Sequence, residues 1–446
     1  MLLRFTVENM FSFRGCETLD LTAVRTCKER VDEASFLVCD GPDPRRALKV
    51  VAFYGANASG KSNLLRSFHL FTEFVRSSAV GSLTNARVPV SPFLHVAKWE
   101  GEPPPSRMEI VFVHAGIQYR YGFAATGVKV LEEWLYRKEL TRRYAREVGL
   151  FVRDQKGGRD VIEPSAAFEK ADWLIVEKTR PNALFLSTAS MLAVPEAMEI
   201  VQKCFGRMMV FSADGDAANV QTSKMIVENR YRDQIFSFLM RTDETIDRIE
   251  IEQKDVTNEF SALVGKPVGD ARVLEPRVYL KNPKGKSYEQ SLPMDSIVSR
   301  GTFKAFHLAG PMFEALGSGG VMMVDELDCR LHPILVRQIV RLFNSKDSNP
   351  KNAQLIFNTH DTNLLNDKVF NEERKRYERL LRRDQVYFVE RDSEYVSHVY
   401  SLIEFKKERR GRNDSSIEKN YLNGLYGSIP YVGIPVRRSA FLLKTS

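Results

Sequence analysis

This 446-residue sequence has no apolar run approaching the roughly 20 residues that span a bilayer. Charge enters too early in Met1–Glu8 for a secretory leader, so the chain is expected to stay in the cytoplasm, with no membrane contact. Cysteine is scarce: the five residues at 16, 27, 39, 204 and 329 show no metal-ligand spacing, which argues against a disulfide framework and fits a reducing compartment. No heptad is sustained, so a long coiled coil is not expected, and there is no internal repeat or low-complexity tract. An Asn-Lys-x-Asp element that would read guanine is missing; Glu169–Asp172 is a poor imitation in a stretch that reads as helical.

What is present suits a soluble protein of more than one lobe, with 43% hydrophobic and 27% charged residues. The net charge of +8 favours an anionic partner such as DNA or RNA. Its basic clusters, at 142–146, 374–376 and 406–412, are interleaved with or flanked by acids. They read either as solvated faces or as nucleic-acid contacts.

Residues 2–24 alternate as strands, a Gly-Pro loop follows at 41–44, and Leu48–Tyr54 is a nearly continuous apolar strand. Leu64, Leu65, Phe68, Leu70 and Phe71 then mark an amphipathic helix. Strand alternation returns over 107–135, a hairpin turns at Gly157-Gly158, and 165–245 is mixed and largely helical. Strands resume at 246–251 and 276–281, and Val321–Val324 and Leu355–Asn358 read as buried strands around a helix opening at Pro333. The expected fold is α/β, with a mixed N-terminal β lobe and a mostly parallel core sheet. The expected division is a first lobe at 1–135, an inserted, partly helical arm at 136–270, and a second lobe at 271–446.

Gly55, Ala56, Asn57, Ala58, Ser59, Gly60, Lys61 and Ser62 match G-x-x-x-x-G-K-[ST] in full, between a buried strand and a helix. The glycines let successive backbone N–H groups point at phosphate oxygens, and the helix terminus adds partial positive charge. Lys61 is expected on the β- and γ-phosphates of ATP, and the Ser62 hydroxyl on Mg²⁺. Val321–Val324 delivers Asp325 and Glu326 at the carboxyl end of a strand, where α/β sheets bind ligands. Asp325 would hold Mg²⁺ through water, and Glu326 would orient or deprotonate the attacking water. His360 ends the next strand and is placed to contact the γ-phosphate or position water. Ser299, Gly301 and Thr302 open a helix; they read equally as a helix cap or as a second phosphate-binding terminus. Pro311 should bend or end that helix. Glu390, Asp392 and Glu394 read as a charged hairpin end.

The order of P-loop, long insertion, Ser-x-Gly-Thr, Asp-Glu and His resembles the ABC-type ATPase head shared by SMC, Rad50 and RecF proteins. It looks closer still to the prokaryotic ATPases that include the OLD nucleases, RloA and the AriA subunit of the PARIS anti-phage system. The matching segments are Asn9–Arg14, Gly55–Asn63, Asp325–Pro333, Asn358–Asp361 and Tyr421–Gly427. The resemblance implies that Asn63 belongs to the nucleotide loop, and that Ser299, Gly301 and Thr302 form a signature meeting the γ-phosphate held by a second copy. It also implies that Asp328 couples the two sites and that His360 is a switch histidine. The stretch after His360 is too short for the TOPRIM nuclease domain of OLD proteins, so a nuclease or other effector would be a separate polypeptide. The leading expectation is an ATP-driven switch in anti-phage defence. The alternative is a DNA-repair or DNA-structure-binding ATPase.

Overall fold

The computed structural model describes residues 1–27, 34–39, 45–81, 87–93, 104–142, 144–157, 159–211, 217–256, 272–366, 369–371, 375–405 and 416–429. Its centre is a six-stranded sheet in the order Met208–Phe211, Val321–Val324, Gln354–Asn358, Val50–Tyr54, Val386–Arg391 and Ser397–Ser401. The first five are parallel and the last is antiparallel. Every residue of Val50–Tyr54, Val321–Val324 and Gln354–Asn358 is buried, which explains why they read as apolar runs rather than alternating strands.

Alternation still decides which layer each side chain joins. Val51, Phe53, Met323 and Ile356 enter the core shared with the helix Lys61–Gly81 and with a seven-stranded antiparallel sheet. Val50, Ala52, Tyr54, Met322 and Phe357 face a second core with the helices Arg300–Ser318 and Pro333–Asn344. The Lys61–Gly81 helix is fixed by aromatic contacts: Phe5 meets Phe68 edge-on at 5.1 Å, and Phe71 stacks on Phe123 at 5.3 Å. Gln354 pins the two sheets together. Its Oε1 accepts from Leu2 N at 2.6 Å, and its Nε2 donates to the carbonyls of Leu2 and Leu48, both at 2.9 Å.

The α/β class, the mostly parallel core and the separate β lobe are as expected. The middle of the chain is built differently from an outlying arm. The seven-stranded sheet runs straight through 135/136, because Val130–Glu139 pairs with Val148–Lys156 and that strand with Arg159–Pro164. Met208–Phe211 joins the core sheet itself, beside Val321–Val324. Ile246–Asp255 and Arg272–Leu280 pair as a hairpin, joined by a short third strand, Leu292–Pro293. Glu133, fully buried, ties sheet to helix: it accepts from Tyr121 Oη at 2.9 Å and from the N–H groups of Phe185 and Leu186 at 2.6 and 3.0 Å.

Pro311 does not end its helix, which continues from Arg300 to Ser318. A proline leaves the carbonyl four residues back without its helical donor. Thr222, on the crossing helix Ala217–Val227, supplies one: its Oγ1 donates to the His307 carbonyl at 3.3 Å and accepts from Gly310 N at 3.1 Å. Glu169–Asp172 is a turn rather than helix; Asp172 caps Trp173–Lys178, accepting from Leu174 N at 3.1 Å. The loop at 41–44, Arg143, Gly158, Arg374 and the basic run 406–412 lie outside the described residues.

Candidate nucleotide site

The parallel register carries Tyr54, Val324 and Asn358 to the same edge of the core sheet, so Gly55, Asp325 and Thr359 leave it side by side. At Gly60 (φ +111°) a Cβ would stand 2.3 Å from Ser397 Oγ and 2.8 Å from Ser12 Oγ, so only glycine fits. A Cβ at Gly55 would stand 2.3 Å from the Val389 carbonyl. The loop is braced by hydroxyls: Ser397 Oγ donates to the Ser59 carbonyl at 2.6 Å and accepts from Ser12 Oγ at 2.8 Å, while Asn63 Nδ2 donates to Ser12 Oγ at 2.9 Å.

Lys61 is almost entirely buried and folds back over the loop, donating to the carbonyls of Gly55 and Ala56 at 2.8 and 2.9 Å. Burial lowers its pKa to about 8, although Asp325, Glu326 and Asp328 pull in the opposite direction. The Ser62 hydroxyl donates to Asp325 Oδ1 at 2.9 Å. Asn358 Nδ2 donates to the same carboxylate oxygen, and Asn358 Oδ1 accepts the backbone N–H of Glu326. Glu326 takes a left-handed backbone (φ +52°) and is exposed.

A cavity of about 430 Å³ opens over these groups, lined by the loop from Asn57 to Asn63 with Phe11, Ser12, Ser91, Glu326, His360 and Arg391. Gly55 and Ala56 do not line it; their carbonyls hold Lys61, which does. His360 donates its backbone N–H to Asp328 Oδ2 at 3.1 Å. Burial, then the Lys61 charge, holds the His360 imidazole below its ordinary pKa, which favours its neutral form. The second oxygen of Asp328, Oδ1, is buried and meets no donor among the described residues.

Ser299, Gly301, Thr302 and Asp328 do not line this cavity. Ser299 Oγ caps its helix, accepting from Thr302 N at 3.0 Å, and Thr302 Oγ1 donates to Asp243 Oδ2 at 3.0 Å. Gly301 is pressed on the loop after Asp325: a Cβ there would stand 2.7 Å from the Arg330 carbonyl. Glu390, Asp392 and Glu394 do not converge. Glu390 accepts from Tyr400 Oη at 3.0 Å, Asp392 caps a turn, and Glu394 pairs with Arg14 at 3.1 Å.

The donor set suits magnesium. Ser62 and Asp325 offer two hard oxygen ligands, and Mg²⁺ commonly takes one or two protein oxygens beside substrate phosphates and water. Composition and spacing do not mark Asn358, Phe11, Ser12, Ser91 or Arg391; Asn9–Arg14 and Asn358–Asp361 carry only the family resemblance, and nothing local marks Ser91 or Arg391.

Such a loop, helix and pair of strand-end acids on a parallel sheet define a P-loop NTPase. The family model described as "AAA domain, putative AbiEii toxin, Type IV TA system" matches residues 50–155 and 233–366, and the chain belongs to that family. Among solved structures, the SMC head domain from Thermotoga maritima is similar at 14% identity and a TM-score of 0.36, over 90% of this chain and 98% of that one. No curated protein matches the sequence.

Proposed function

We propose that this chain is an ABC-type ATP-binding and hydrolysing switch that assembles with itself and controls a separate effector in anti-phage defence. The observation that carries this reading is convergence: Lys61, Ser62, Glu326 and His360 line one cavity of about 430 Å³, and Ser62 holds Asp325 beside it. In this reading Lys61 leaves the Gly55 and Ala56 carbonyls for the β- and γ-phosphates as ATP enters. Mg²⁺, held by Ser62 and Asp325, would neutralise phosphate charge. Glu326 takes the proton of the attacking water or orients it, and neutral His360 donates to the γ-phosphate.

Self-assembly is favoured because Ser299, Gly301 and Thr302 stand off the cavity of their own chain, so a second copy is needed to bring them to a nucleotide. In that assembly Asp328, hydrogen-bonded to His360 N and adjoining the loop against Gly301, would link the two sites. The family description names a toxin and a toxin–antitoxin system, a setting that suits an ATPase restraining a toxin or a TOPRIM-type nuclease. Among the described residues no helix is long and apolar enough to cross a membrane. The second reading, a DNA-repair or DNA-structure-binding ATPase, draws on the net charge of +8 and would show steep salt dependence.

The test is Glu326→Gln. It is expected to bind ATP with Mg²⁺, turn over at least about 100-fold more slowly than wild type, and accumulate an assembled form by light scattering. Normal turnover, or a monomer with ATP bound, would overturn the assignment.

A further inference from the structure

Asn358 is fully buried at the end of the strand that separates the phosphate-loop strand from the Asp325 strand. Its carboxamide touches the Asp325 carboxylate and the Glu326 backbone at once. The nitrogen donates to Asp325 Oδ1, the oxygen that also takes the Ser62 hydroxyl, and the oxygen accepts the N–H of Glu326. We infer that Asn358 is the positioning residue that sets the metal-binding carboxylate and the water-activating carboxylate in one frame. This rests on the nucleotide-hydrolysis reading of the site.

Three physical points carry it. The orientation of the amide is forced, since a flip would set its oxygen against the Asp325 carboxylate and its NH₂ against the Glu326 N–H. A neutral donor fixes one Asp325 oxygen without cancelling the charge that a cation needs; a lysine or arginine there would cancel it. The second bond holds Glu326 where its φ is +52°, an uncommon backbone for a residue with a side chain, and that turn delivers Glu326 to the cavity. Asparagine meets both demands with one planar group. Aspartate keeps the acceptor for Glu326 but turns an oxygen toward Asp325, and threonine keeps a donor but cannot span both partners.

The experiment uses the full chain with Asn358→Asp and Asn358→Thr beside wild type. It measures ATP turnover against Mg²⁺ concentration, affinity for a fluorescent ATP analogue in EDTA and in Mg²⁺, and thermal stability. Asn358→Asp is expected to raise the Mg²⁺ concentration for half-maximal turnover about 10- to 100-fold and to lower kcat by a similar factor. Its metal-free analogue affinity is expected to stay within about threefold of wild type, with Asn358→Thr intermediate in Mg²⁺ dependence. Unchanged kcat and Mg²⁺ dependence in both variants overturns the inference. So does a parallel loss of Tm and of affinity with and without Mg²⁺, which marks a merely structural residue. If wild type itself shows no turnover, the hydrolysis reading fails. The Mg²⁺ enhancement of analogue binding then decides Asn358: an enhancement unchanged in Asn358→Asp overturns the inference, and a lost one supports it.

Discussion

The hydroxyl of Ser62 donates to Oδ1 of Asp325 at 2.9 Å, across 263 positions of sequence. One end of this bond opens a helix and the other follows a strand, so the pair is a direct report of how the sheet is ordered. Ser62→Ala removes one oxygen of the pair and leaves the loop backbone intact. Mg²⁺-dependent nucleotide affinity is expected to fall about 10- to 100-fold, with little change in EDTA. Titration of a fluorescent nucleotide in the two conditions checks this, and equal losses in both would count against a metal role.

Lys61 gives the site a pH dependence of defined sign. In the free protein its pKa is lowered to about 8 by burial, and phosphate beside it would raise that value. Below pH 8 the lysine is already charged and affinity should be flat. Above pH 8 the free protein must take up a proton to bind, so ATP affinity should weaken by about tenfold per pH unit until the bound-state pKa is reached. Calorimetric titration at pH 7, 8 and 9, in buffers of different ionisation enthalpy, reads both the affinity and the proton uptake. Affinity that is level from pH 7 to 9 would place Lys61 away from the phosphates.

Gly60→Ala tests the steric claim on the loop. The new Cβ would press on Ser397 Oγ and Ser12 Oγ at a φ of +111°. The expected cost is about 2–4 kcal/mol from overpacking and backbone strain together, read by urea unfolding. Ser397→Gly in the same chain should recover part of it, and no recovery would show that the clash is elsewhere.

Thr222→Val keeps the shape of the side chain but loses the hydroxyl that serves both His307 O and Gly310 N beside Pro311. A loss of about 1–3 kcal/mol is expected, from the removal of two hydrogen bonds, one part-buried and one buried. Pro311→Ala should restore a donor for His307, so the two substitutions are expected to be less than additive in a double-mutant cycle.

How much of this was legible differs by element. Gly55–Ser62 and Asp325-Glu326 could be read directly, because a phosphate loop and a strand-end acid pair are short and each residue type has one reason to be there. The apolar runs Val50–Tyr54 and Val321–Val324 announced strands buried on both faces. Asn358 and Gln354 carry no local signal, since a polar residue at a strand end becomes meaningful only when its neighbours across the sheet are known. That the helix runs on past Pro311 has no local signal, because the hydroxyl that serves His307, on Thr222, lies 89 positions upstream by residue number on another helix. The expected limit at 135/136 cut a continuous sheet, because a hairpin arm reads the same whether it stands alone or joins a sheet edge. Ser299 is a helix cap by its geometry, and its role toward a second copy rests on the resemblance.

The order of the central sheet also bears on how the chain is made. Val50–Tyr54 is flanked on both sides by strands from much later in the chain, Gln354–Asn358 and Val386–Arg391. A nascent chain therefore carries a bare, five-residue greasy ribbon out of the ribosome while some three hundred further residues are still being translated. Until those partners emerge the ribbon has two open edges, the situation in which chains stick to one another. Synthesis speed and holding chaperones thus become part of whether this protein reaches its working form at all.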